Sequence, residues 1–243
     1  LKEKLKVFLS YQKFKKSMKI KYFGHSCFLV EFAGKKLLFD PFISGNPLAT
    51  SIKPETIEAD YILISHGHGD HVADAVEIAQ RTGAKIISNF EIMSWYEAKG
   101  LSGYGMNIGG KVTLDGFTVK NVVAIHSSVL PDGTYGGNPM GFVIWDKSHC
   151  FYYSGDTALT IDMQLIPRIC PPLDFAIMPV GDYFTMGYED AIIAADFAQV
   201  NKVIGCHFDS FPPIKIDHHA AKAAFSTADK ELILPGIGNL IEV

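Results

Sequence analysis

Residues 61–71 read Tyr61-Ile62-Leu63-Ile64-Ser65-His66-Gly67-His68-Gly69-Asp70-His71. An apolar, β-type run leads directly into three histidines and a carboxylate. Such a run reads as a buried strand, so the polar cluster sits where a strand ends and a loop begins. Residues two apart in extended backbone face the same side, and His66 and His68 therefore point in one direction. Gly67 and Gly69 let the chain turn sharply and approach a bound ion closely. Asp70 and His71 then project toward a second position. Imidazole is the commonest metal-binding side chain, and carboxylate is its usual companion for zinc, manganese or iron. The donors include no cysteine. With distant donors added they outnumber what one closed tetrahedron needs, which argues against a structural zinc site.

The whole chain sets the bounds. Its 243 residues suffice for one large α/β domain or two small ones. Nothing reads as a linker, so a single domain over 18–243 is expected. A formal net charge of −4 leaves no electrostatic footprint for nucleic acid or an anionic membrane. No apolar run reaches the roughly eighteen residues of a transmembrane helix. Cys27, Cys150, Cys170 and Cys206 lack CxxC spacing and read as buried thiols, with a reduced, cytoplasmic setting as the default. Lys2, Lys4, Lys6, Lys13, Lys15 and Lys16 face one acid, Glu3, in the segment 1–17. That segment reads as a basic N-terminal extension with Met18 as the functional start. The rival reading is a basic amphipathic helix that docks on a partner or membrane surface.

From Met18 the spacing predicts strands over 19–23, 26–32 and 36–39, the last delivering Asp40-Pro41, and a loop over 43–58. After the histidine cluster come a helix over 73–82, a strand over 84–88 and a helix over 91–99. The second half predicts strands over 111–114 and 118–124 joined by Asp115-Gly116, then 141–145, 150–153 and 174–178, the last stopped by Pro179. A helix over 188–200, a strand over 202–206, a helix capped by Asp217 to about Thr227, and strands over 231–234 and 240–243 complete the chain. Two sheets packed face to face with helices outside accommodate this pattern. The loops 43–58, 100–110 and 127–139 are expected to line a pocket.

Polar donors recur at strand ends. His126 follows Val122-Val123-Ala124-Ile125, Asp156 follows Phe151-Tyr152-Tyr153, and His207 follows Val203-Ile204-Gly205-Cys206. A chain that carries separated donors to one sheet edge is building a site on rigid supports. The pattern resembles the metallo-β-lactamase superfamily over nearly the whole chain from Met18. The motif His-x-His-x-Asp-His stands here as His66, His68, Asp70 and His71, and the later donors match His126, Asp156 and His207 in order. The resemblance implies a four-layer αββα sandwich binding two divalent metal ions, zinc first, with manganese or iron as alternatives. It implies one metal on His66, His68 and His126, another on Asp70, His71 and His207, and Asp156 bridging them. Asp40 matches a buried acid that supports the cluster. Gly24-His25-Ser26-Cys27-Phe28, Pro179-Val180-Gly181-Asp182 and Phe184-Thr185-Met186-Gly187 look closest to the metal-dependent hydrolases related to ascorbate-6-phosphate lactonase.

The expected chemistry is a binuclear metal-dependent hydrolase that uses a metal-bound hydroxide on an ester, lactone or phosphoester of a small molecule. The alternatives are an iron-dependent oxidoreductase of the dioxygenase type and a non-catalytic metal-binding protein. Catalytic roles are expected for Asp70, for His25 as a substrate-facing donor at the sheet edge, and for Asp182 as a pocket wall or a carboxylate holding a loop. His218 and His219 read as solvated surface and His149 as exposed in a hairpin turn. No nucleic-acid partner is expected, and a homo-oligomer is compatible with the sequence.

Overall fold

The computed structural model describes residues 17–243. The basic segment 1–16, and with it the choice between an extension and a docking helix, lies outside them. Two mixed sheets share one plan. In the first, β1 (Lys19–Gly24), β2 (Cys27–Phe32) and β3 (Lys35–Phe39) form an antiparallel meander. β4 (Tyr61–Leu63), β5 (Lys85–Ser88) and β6 (Gly103–Gly105) then continue in parallel from β3. In the second, β7 (Lys111–Leu114), β8 (Phe117–Val123), β9 (Met140–Trp145) and β10 (Cys150–Tyr153) are antiparallel. β11 (Phe175–Pro179), β12 (Lys202–Cys206) and β13 (Glu231–Ile233) run parallel to β10. The last strand, β14 (Leu240–Glu242), returns to pair with β1 in the first sheet. The amide of Met18 donates to Val243 O at 2.8 Å, so the two ends of the described chain close on each other.

Strand alternation sorts the side chains into layers. Tyr61 and Leu63 join the core between the sheets, while Ile62 and Ile64 face outward under helices. Across the sheets the Phe39 ring lies 4.7 Å from Tyr153 and 6.5 Å from Phe142. Each fully buried ring of this kind contributes roughly 1.5–3 kcal/mol. One outer layer holds α1 (Gly69–Val72), α2 (Ala75–Thr82) and α3 (Phe90–Glu97). The other holds α4 (Ile166–Ile169), α5 (Tyr188–Ala198) and α6 (His218–Thr227). Ala191, Ala194, Ala195 and Ala198 make the buried face of α5, which lets that helix approach the sheet closely. This is the expected αββα sandwich. Among the described residues no helix is long and apolar enough to cross a membrane.

Several local expectations are corrected. The helix expected over 73–82 begins at Ala75, and a separate short helix over Gly69–Val72 precedes it across Ala73-Asp74. Asp74 leaves the helix because its carboxylate accepts from the amides of Ile43 (2.6 Å) and Ser44 (2.9 Å). Within the expected loop 100–110, Gly103–Gly105 forms the edge strand β6. Gly-Tyr-Gly has little strand propensity. It pairs because Gly103 fits where an added Cβ would lie 1.9 Å from Ile86 O. Residues 161–169, left unassigned by the sequence, form a 3-10 turn and α4. The strand expected over 174–178 and stopped by Pro179 runs instead over Phe175–Pro179, with Pro179 as its last residue opposite Cys206. His149 is half-buried rather than exposed, with Nδ1 3.3 Å from the Asp174 carboxylate. Cys27, Cys150 and Cys206 are buried and Cys170 half-buried.

Candidate metal centre

The donors converge from both sheets. His66, His126, Asp156 and His207 each lie within three residues of the ends of β4, β8, β10 and β12. His68 is the residue before α1, and that helix carries Asp70 and His71. Ligand atoms of His66, His68 and His126 lie within 4.8 Å of one another. A second such group comprises His25, Asp70, His71 and His207. Asp156 connects them. Its Oδ2 is 3.0 Å from His207 Nε2, 3.2 Å from His71 Nε2, 3.8 Å from His126 Nε2 and 3.9 Å from His66 Nε2. Gly155 makes this approach possible. Its φ is +61°, and an added Cβ would meet Ser65 Cβ at 2.7 Å.

A buried carboxylate organises the first-half donors. Asp40 follows β3 and is fully buried. It accepts from the Ser65 amide (2.8 Å), Ser65 Oγ (2.6 Å), the Tyr153 hydroxyl (2.7 Å) and His71 Nδ1 (2.8 Å). Because Ser65 Oγ gives its proton to Asp40, it can accept from His66 Nδ1 at 3.0 Å. That assignment, made from the network, puts a proton on Nδ1 of both histidines and turns Nε2 of each toward Asp156. Orienting partners of this kind fix tautomer and ring position. Sequence reasoning identified Asp40 but missed Ser65 and Tyr153. Their only sequence signal is a hydroxyl closing a buried strand beside a donor.

The electrostatics suit a cation. Burial, then the neighbouring His71, holds His66 well below the ordinary histidine range. Burial also lowers His68 and His126, so these three rings are neutral donors. His71 moves the other way. Burial opposes its charge, but the Asp156 and Asp40 carboxylates together raise it. Asp156 stays ionised against its own burial because His207 and His71 surround it. A buried anion among imidazoles draws positive charge to this point. His71 Nε2, Asp156 Oδ1 and His207 Nδ1 are buried with no hydrogen-bond partner among the described residues. Buried polar atoms normally find one. The orphaned atoms and the oxygen and nitrogen donor set together fit divalent metal.

A cavity of about 410 Å³ opens above these groups. His68, Asp70, His126, Asp156 and His207 form its floor, and Ser127, Phe184, Phe211 and Pro213 its walls. Of the loops expected to line it, only 127–139 does, through Ser127; the other wall residues come from 181–187 and 207–214. His25 lies beneath the floor, not in a wall, and is fully buried. Its φ of 56° turns the side chain inward. Nδ1 lies 2.5 Å from Ser210 Oγ, and Nε2 lies 3.2 Å from Asp70 Oδ2. Burial and the neighbouring His207 lower the His25 pKa to about 4. Asp70 is held below the usual carboxylate range despite burial, by the His25 contact first and then His71. Nothing in the sequence marked Ser210. Asp182 is exposed in a tight turn before α5 and does not line the cavity. His218 is half-exposed, as expected, with Nε2 2.6 Å from Asp209 Oδ2.

Comparison with known proteins agrees with this geometry. The profile described as Beta-lactamase superfamily domain matches residues 19–207. A Flavobacterium johnsoniae protein named UPF0173 metal-dependent hydrolase is 51% identical over 226 residues, covering 93% of this chain and 100% of the relative. A Thermococcus kodakarensis protein of the same family name is 41% identical over 223 residues, 90% of this chain and 97% of the relative. Among solved structures, Igni18, described as a novel metallo hydrolase from Ignicoccus hospitalis, superposes with a TM-score of 0.85 at 33% identity, covering 94% of this chain and 99% of its own. Motif, fold and relatives coincide: the chain belongs to the metallo-β-lactamase superfamily, in its UPF0173 metal-dependent hydrolase family.

Proposed function

We propose that the protein is a binuclear metal-dependent hydrolase acting on an ester, lactone or phosphoester of a small molecule. The observation that carries this reading is the single Asp156 oxygen within 3.0–3.9 Å of four imidazoles drawn from both donor groups. One cation would be held by His66, His68 and His126, the other by Asp70, His71 and His207, with Asp156 shared. Two divalent cations held there would supply a water activated near neutral pH and would polarise the electrophilic oxygen of the substrate. The donor set suits zinc, manganese or iron.

The protein's own residues prepare that chemistry. Asp40 and Ser65 hold His66 and His71 in the tautomers that turn Nε2 to the centre. His25 lies against Asp70 rather than in the cavity: Nδ1 meets Ser210 Oγ, and Nε2 sits 3.2 Å from the carboxylate without hydrogen-bond alignment, close enough to bias where Asp70 stands. Asp182 contributes through its turn, which sets the position of Phe184. The half-buried His68 and His126 face the cavity, where a substrate meets the site.

Elemental analysis of protein purified without added metal, followed by a panel of esters, lactones and phosphodiesters, tests the proposal. Two equivalents of metal and turnover that a chelator abolishes are expected. A single equivalent that sustains full turnover would overturn the binuclear reading.

A further inference from the structure

The walls of the cavity differ in character from its floor. The floor carries the polar donors, whereas Phe184, Phe211 and Pro213 make one side apolar. Phe211 is backed by other rings, 6.3 Å from Phe42 and 5.4 Å from His25 between centroids. Phe184 stands half-exposed at the mouth with Tyr183 beside it, their rings 4.7 Å apart. The turn that presents them is costly. Asp182 and Tyr183 both have positive φ, 60° and 61°, a region that non-glycine residues seldom occupy. The pairing of Gly181 with Gly187 and the bond from the Met186 amide to Thr157 O hold it. Strain kept at a cavity mouth points to a use for the rings it presents.

Charge points the same way. No lysine or arginine lines the cavity among the described residues. The helix that follows the turn, α5, carries Glu189 and Asp190 in its first turn, so its N-terminus does not welcome an anion. A phosphate remote from the scissile bond would therefore find no partner. An uncharged alkyl or aryl arm would find two rings and a proline.

We infer that the substrate is an uncharged carboxylic ester or lactone with an apolar arm lying against Phe184 and Phe211, and that phosphorylated substrates are disfavoured. This rests on the hydrolase reading above. The reaction is hydrolysis: a water oxygen bonds to the acyl carbon and the acyl carbon–oxygen bond breaks. One proton goes to the departing alkoxide oxygen, and the carboxylic acid releases the other at neutral pH.

The test compares four compounds on the metal-loaded full chain: γ-decanolactone, γ-butyrolactone, 6-phosphoglucono-δ-lactone and bis(p-nitrophenyl) phosphate. We expect kcat/KM for γ-decanolactone to exceed each of the others by at least ~10-fold, the order that a few buried methylenes supply. Phe184→Ala should shrink the ratio of γ-decanolactone to γ-butyrolactone at least ~5-fold, mainly through KM. Phe184→Lys should raise 6-phosphoglucono-δ-lactone relative to γ-decanolactone. Equal kcat/KM across the three lactones, or a preference for either phosphate compound, would overturn this inference and leave the hydrolase reading standing. No turnover of any compound by protein holding both cations would overturn the two together.

Discussion

The two sides of the centre are built differently. His66 and His71, from the first sheet, stand against a buried carboxylate with four hydrogen bonds. His126, from the second sheet, has no side-chain hydrogen bond among the described contacts and is held by the chain that carries it. His207 is fixed mainly through its backbone, its amide donating to His25 O at 2.8 Å. The first side is preorganised by a network whose parts need one another. On the second side Asp156 and His207 are buried, and only His126 is half-buried at the cavity.

The comparison can be broken where the sides meet. Asp156→Ala should have the largest effect, reducing metal content and turnover to background while the far-ultraviolet circular dichroism stays near that of the parent. Unchanged metal content with full activity would show that the two groups do not share this residue. Asp40→Ala should come next. It leaves His71, Ser65 and Tyr153 buried without their common acceptor, so denaturant unfolding should show a loss of about 3–5 kcal/mol. Metal affinity measured by chelator competition should fall ~10–100-fold.

Smaller effects sharpen the contrast. His25→Ala should weaken metal binding at the Asp70 position by up to ~10–100-fold by the same competition assay, with Ser210→Ala moving in the same direction by less. If His25→Ala instead keeps both affinities and loses only turnover, the ring acts on substrate, as its place in the sequence first suggested. His126→Ala should cost the apo fold only about 1 kcal/mol in a denaturant titration, far less than Asp40→Ala; a comparable loss would erase the asymmetry. Deleting residues 1–17 should matter least. Met18 would still pair with Val243, and a shift in Tm beyond about 2–4 °C would show that the segment supports the fold.

What the sequence alone makes legible follows one rule. His66, His68, Asp70, His71, His126, Asp156 and His207 stood out because each sits at or just past the end of an apolar run, and one cluster is contiguous. Runs of Val, Ile and Phe declare strands locally, so the layers of the fold and the edge bearing the donors were legible too. β6 was not, because Gly103 pairs by fitting against Ile86 rather than by propensity. Nor was the break at Asp74, whose carboxylate serves amides far away in sequence.

By itself the sequence determined which residue types the centre has, their order, and the superfamily to which they belong. Tertiary structure decided their ranks. His25 precedes a strand in a motif that looks catalytic, but a positive φ buries it beneath Asp70. Asp182 follows an apolar strand, yet its turn leaves it outside while placing Phe184 at the cavity. Ser65, Tyr153 and Ser210 gained roles only through partners that lie far along the chain or depend on the fold for their angle. The physical reason is the range of the interactions. Propensity and alternation act over a few residues, whereas hydrogen bonds, burial and charge act through space, between segments that only the folded chain brings together.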